Sequence, residues 1–181
     1  MSIRRVLGIP EKPHHSSAET DTVRKIVDAL DQLDQNQARF IAAFGYILGR
    51  VANADMHISA EETREMERII KEYGHLPEDQ ALIIVQMAKT HNQLFGATEN
   101  FLVTREFNHI ATRDEKLALL HCLYAVSAVD EGVSSVEDNE IRQIASELLI
   151  EHPDFISVRS AWKNQITLFQ NLPGPDTGSS N

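Results

Sequence analysis

Two short stretches of the chain carry the same acidic pattern: Asp55, Ser59 and Glu62 are spaced as Asp130, Ser134 and Glu137, an offset of 75 residues. In each copy an aspartate closes an apolar helical stretch, and a glutamate stands in the first turn of the next. The two carboxylates of one copy can converge on a corner, and pseudo-symmetry can bring both corners together. Four carboxylates, Asp55, Glu62, Asp130 and Glu137, suit a hard divalent cation such as Mg2+, Ca2+ or Mn2+, with Glu61, Glu131 and Asp138 as auxiliaries. The same residues have a second reading. Ser-x-x-Glu at a helix start is a capping box, in which hydroxyl and carboxylate satisfy orphan amides reciprocally, and acidic side chains there gain ~0.3–1 kcal/mol from the helix dipole. That positive helix end opposes a cation, so an ion site needs carboxylates from both copies. An EF-hand is excluded, because neither stretch has oxygen ligands at loop positions 1, 3 and 5 with Gly at 6.

Other reactive residue types give less. His57, in the first acidic turn, offers a nitrogen ligand for Zn2+ or reads as a surface histidine. Glu106 with His109 and Glu72 with His75 have the Glu-x-x-His spacing of di-iron bundles, but such sites need a glutamate from each of two further helices. Cys122, the single cysteine, sits in the apolar run 117–124 and reads as a packed, inert thiol in a reducing compartment. Its neighbour His121 points elsewhere on a helix. Gly45 and Gly49 fall inside a helical stretch, where they allow close helix packing and do not form a phosphate-cradling loop. No catalytic residues are assigned, and the expectation is a protein that is not an enzyme.

The elements that would position the acidic motif are helices. Apolar residues recur at i, i+3 and i+4, and period-two alternation is never sustained. The pattern predicts helices near 20–33, 36–54, 60–73, 77–95, 98–110, 113–130, 135–150 and 153–170. Ser59 with Glu62, Thr112 with Glu115, and Ser134 with Glu137 mark helix starts. Gly74 suits a helix stop, and Pro77 and Pro153 suit first-turn positions. At the same offset of 75, Leu48 matches Leu123, Val51 matches Val126, Met66 matches Ile141 and Ile69 matches Ile144. The expectation is an all-α compact bundle of about seven to eight helices, built from two pseudo-symmetric helical hairpin repeats. Residues 1–19 and 171–181 read as tails around a domain over 20–170.

Composition narrows the partners. A net charge of −10 and a pI near 5.2 argue against a task of gripping phosphate backbones, so no nucleic acid is expected. The longest apolar run, Phe40 to Gly49, is far short of the ~20 residues a spanning helix needs. Arg4 and Arg5 precede only a short apolar stretch before Pro10, which lacks the core of a secretory signal. The expected location is the cytoplasm, with at most peripheral membrane contact through residues 1–9. Glu61, Glu62, Glu65, Glu67 and Glu72 interleave with Arg64, Arg68 and Lys71, and Glu67 to Lys71 has i, i+4 geometry. This reads as a solvated face or as a docking face for a basic partner. Arg105, Arg113, Arg142 and Arg159 are candidates for an opposing basic patch.

The repeated residues also resemble a known family. An apolar helix ending in Ala54 and Asp55, a turn carrying Ile58, and a helix opening with Ser59 and Glu62 resemble the hallmark of TerB domains. The stretch from Val129 and Asp130 through Val133 to Glu137, followed by 139–145, resembles the second hallmark. The resemblance covers roughly residues 22–170 and implies a compact helical fold of bacterial type. It implies association with resistance to tellurite and other chemical or phage stress, alongside partner proteins often found near membranes, and no established catalytic activity. It further implies a divalent cation (Mg, Ca, Mn or Zn) on the acidic hallmark residues, here Asp55, Glu62, Asp130 and Glu137. Val129 in place of Ala, and Met56 with His57 in the first turn, depart from the pattern. The alternatives are a metal-free interaction scaffold and a metal-dependent enzyme with further ligands inside the bundle.

Overall fold

The computed structural model describes residues 17–52, 60–90, 100–129 and 132–166. Those residues form eight helices: α1 (Ser17–Asp31), α2 (Gln35–Ala52), α3 (Ala60–Gly74), α4 (Glu78–Lys89), α5 (Asn100–Ile110), α6 (Arg113–Ser127), α7 (Ser135–Glu147) and α8 (His152–Ala161). The all-α class and the helix order match the sequence reading. Most of the expected tails, 1–16 and 171–181, lie outside the described residues, as do 53–59 and 130–131.

The 75-residue offset carries into the backbone. It lays α2 on α6 and α3 on α7, and the starts of α3 and α7, Ala60 and Ser135, differ by that offset. The packing is crossed: α3 lies on α6 of the other copy, α7 touches α2 as well as α6, and α2 and α6 touch each other. α2 is the hub, packed on α1, α4, α5, α6 and α7. Its composition explains why. Ile41, Phe44, Tyr46, Ile47, Leu48 and Val51 are all buried, so the helix is apolar nearly all round and must be enclosed. Leu48 and Leu123, Met66 and Ile141, and Ile69 and Ile144 are core pairs at the repeat offset, each side chain gaining ~1.5–3 kcal/mol on burial. Val126 is only partly buried.

Gly45 has the packing role expected of it. A Cβ there would lie 2.8 Å from the Met87 Cβ and 3.3 Å from the Ile84 carbonyl oxygen, so α4 can approach α2 only because this position has no side chain.

Helix ends depart from expectation where side chains or tertiary contacts intervene. α4 ends at Lys89 with Thr90 as its cap, whose amide and hydroxyl both return to the Gln86 carbonyl, at 3.2 and 2.8 Å. α8 stops at Ala161, not near 170: the Val133 amide donates to the Gln165 carbonyl at 2.7 Å and ties the chain back beside the start of α7. Gly74 ends α3, but the left-handed residue is His75, with φ 55°. Leu149 after α7 has the same φ of 55°.

Candidate functional site

Among the four carboxylates singled out by the repeat, Glu137 is the one whose side chain is described. It opens α7 in a reciprocal capping box: its Oε2 accepts from the Ser134 amide at 2.8 Å, and the Ser134 hydroxyl accepts from the Glu137 amide at 3.2 Å. Thr112 and Glu115 form the same box at the start of α6. Glu62 lies in the first turn of α3, with its side chain outside the described residues. The side chain of Glu61 beside it is likewise outside them, and Asp55, Asp130, His57 and Glu131 fall outside the described residues altogether.

The flanks of these corners are defined. α3 and α6 run antiparallel: Tyr73 stacks on His121 with centroids 6.1 Å apart, while Glu65 and Val129 line one cleft further along. The chain therefore enters the second acidic turn beside the opening half of α3. In the other half, Arg50 near the end of α2 reaches Glu140, one turn beyond Glu137, at 2.7 Å. The crossed packing thus sets the end of the first helix in each copy against the second helix of the other.

Asp138 is withdrawn from the auxiliary role. It is 3% exposed, its Oδ1 accepts from the Tyr124 hydroxyl and from Arg159 Nε, both at 2.9 Å, and its Oδ2 accepts from Arg159 Nη2 at 2.7 Å. Burial pushes its pKa up, but the bonds from Arg159 and Tyr124 outweigh burial and hold it below the usual carboxylate range. Tyr124 is held as a neutral phenol, by burial first and by the Asp138 charge second. The four arginines named as candidates for a basic patch each have a local contact. Arg159 and Arg142 both face Asp138, Arg113 donates to Asp154 at 2.8 Å, and Arg105 lies over the Phe101 ring. Lys71 pairs with Glu78 at 3.2 Å in place of the expected Glu67. Glu106, of the first Glu-x-x-His pair, pairs with Arg39.

Sequence reasoning missed two features. The first is Arg50, its side chain 2% exposed, which donates to Glu140 and, at 2.7 Å, to Glu147. Burial opposes its charge, and Glu147 and Glu140 restore it. A charged residue at a repeat position otherwise apolar was the available signal. The second is a cleft of about 320 Å³ between α3 and α6, lined among others by Glu65, Arg68, Ile69, Tyr73, Ala125 and Trp162. Below it the Trp162 indole donates to His121 Nδ1 at 3.1 Å. Cys122 is buried, with its pKa pushed up to about 12 by burial, as its apolar run implied.

Among the described residues no group of three or more His, Cys, Asp or Glu side chains could hold a metal ion, and no helix is long and apolar enough to cross a membrane. Searches of curated proteins and of solved structures found no match. A model of the family described as "Tellurite resistance protein TerB" matches residues 41–160, the span from α2 to the end of α8 that contains both acidic repeats. With most of its length matched and with the duplicated helical hairpin in place, this chain belongs to the TerB tellurite-resistance family.

Proposed function

We propose that this chain is a non-enzymatic TerB module of a tellurite and chemical stress response, acting by binding partner proteins, with a divalent cation held at Asp55, Glu62, Asp130 and Glu137. The observation that carries the reading is the family match over 41–160, which spans both copies of the acidic motif. Three features support the finer parts. The antiparallel α3 and α6 bring the approach to Asp130 beside the helix that Glu62 opens, as a site shared between copies requires. Capping does not exhaust Glu137, since a carboxylate offers about four lone-pair sites and one oxygen is used by Ser134. The chain's single thiol is a neutral, enclosed group, which favours binding over thiol-based reduction of tellurite.

A metal-free scaffold is the second reading, favoured by the complete capping box at Glu137. Calorimetric titration of chelator-stripped protein with Mg2+, Ca2+, Mn2+ and Zn2+, against the Asp55→Asn, Asp130→Asn double variant, separates the two. Saturable binding that disappears in the variant is expected. No heat from folded protein with any ion leaves the scaffold. The stress role is tested by expressing the chain in a tellurite-sensitive bacterial host: raised tolerance is expected, and unchanged tolerance of a well-expressed chain counts against it.

A further inference from the structure

The two halves of the bundle treat equivalent positions differently. At the 75-residue offset Arg50 corresponds to Ala125, Glu140 to Glu65 and Glu147 to Glu72. In one half the Arg50 guanidinium is seated between its two glutamates, with Nε on Glu140 at 2.9 Å and Nη1 on Glu147 at 2.7 Å, its side chain 2% exposed. In the other half the two glutamates are retained, but the arginine position is Ala125, and the space beside it is the open cleft of about 320 Å³. The internal copy shows what this arrangement of helices accommodates when it is filled.

The walls favour the same group. Glu65 supplies a carboxylate, and Tyr73 and Trp162 stand edge to face with centroids 5.5 Å apart. Trp162 is fixed by its bond to His121. A planar guanidinium stacks on aromatic faces while forking onto a carboxylate, which a compact ammonium does less well. Among the described residues lining the cleft the cation is Arg68, which pairs with Glu65 and Glu72 on its own helix and is 56% exposed. These pairs face solvent, where water can replace them at small cost, so Arg68 can give way. Residues 130–131 and 167–181, which follow the cleft-lining stretches, contain no Lys or Arg.

We propose that the cleft between α3 and α6 receives the guanidinium of an arginine presented by a partner protein, in the place that Arg50 fills in the other half. This deepens the partner-binding reading by naming the chemistry of the contact. Trp162 is the single tryptophan and reports on the cleft directly.

The test titrates the full chain with amide-capped arginine and, separately, amide-capped lysine, following Trp162 emission and the Ile69, Ala125 and Trp162 indole N–H signals by NMR. Expected are a saturable response to arginine, a weaker one to lysine, a loss of about tenfold in affinity in Glu65→Gln, tighter binding in Arg68→Ala, and no response in Ala125→Arg. No saturable response from folded protein, equal responses to the two amides, or unchanged affinity in Glu65→Gln would each overturn the proposal. Glu65 and Arg68 lie at the surface, so these variants keep the test valid if Ala125→Arg does not fold. The titration reads the cleft alone: its failure leaves the tellurite phenotype untouched, and loss of that phenotype leaves the titration standing.

Discussion

Arg50 on α2 and Glu147 on α7 meet at 2.7 Å with 2% and 14% of their side chains exposed, joining the two copies of the repeat through a buried ion pair. Glu140 completes the set on the same guanidinium. The cost of removing one member of such a group exceeds what the group contributes, because the remaining charges stay buried without a partner.

Arg50→Met is therefore expected to destabilise the fold by about 3 kcal/mol. Adding Glu147→Gln to that variant should recover part of the loss. Urea unfolding of the two variants and the parent checks this, and a double variant no more stable than Arg50→Met would show that packing of the arginine stem, not charge, dominates.

Asp138 provides an acid-sensitive tie between α6, α7 and α8, through Tyr124 and Arg159. Its folded pKa is lowered, so its contribution is fully present above the unfolded value of ~3.9 and is lost as pH falls through the folded value. Asp138→Asn should cost about 3 kcal/mol at neutral pH, since it leaves the mostly buried Arg159 without a counter-charge. Acidification from pH 7 to 3 should then lower its urea midpoint less than it lowers the parent's. Equal losses in the two proteins would assign the acid sensitivity to other carboxylates.

What could be read from sequence and what could not divides along the range of the interactions. Thr112 with Glu115 and Ser134 with Glu137 lie three residues apart, so capping chemistry written in the chain is capping chemistry in the fold. The repeat was legible because apolar positions such as Leu48 and Leu123 face one core from both copies. Arg50 finds its carboxylates 90 and 97 residues away, and Arg159 finds Asp138 across 21, so no local pattern announces either. The same blindness made Asp138 look like a spare ligand beside Glu137, when burial had already assigned its oxygens to Tyr124 and Arg159. Of the four motif carboxylates, Glu137 is confirmed at a helix start with a capping role, whereas Asp55 and Asp130 lie outside the described residues.

The end of α7 has the hydrogen bonds of a Schellman motif, Ile150 amide to Ala145 carbonyl at 3.0 Å and Leu149 amide to Ser146 carbonyl at 3.1 Å. Glycine is the usual residue at the left-handed position of that motif. Here it is Leu149, with φ 55° and 74% exposed. Its side chain gains little from burial, while its backbone bears the ~1–2 kcal/mol that a Cβ costs in this conformation. Leu149→Gly should accordingly stabilise the protein by about 1 kcal/mol, raising Tm by ~2–4 °C for a chain of this size. A lower Tm would mean that the leucine makes a contact worth more than the strain.

His121 should make stability depend on pH near neutrality. Its Nδ1 accepts from the Trp162 indole and its ring stacks on Tyr73, so the native state holds the neutral ring with its proton on Nε2. Burial lowers its folded pKa below the ordinary histidine value. The unfolded chain then takes up a proton that the folded chain resists: stability is complete above the unfolded value of ~6.5 and falls as pH drops through the folded one. His121→Asn places an amide oxygen near the position of Nδ1, keeping an acceptor for Trp162 without a group that titrates in this range. Other ionisable groups also shape the raw pH profile, so the informative quantity is the difference between parent and variant. Chemical denaturation at pH 7.5 and 5.5, followed by circular dichroism, should show the parent losing more stability than His121→Asn over that interval. Parallel losses would show that the Trp162 bond survives protonation, which would require the ring to turn and present a different partner to the indole.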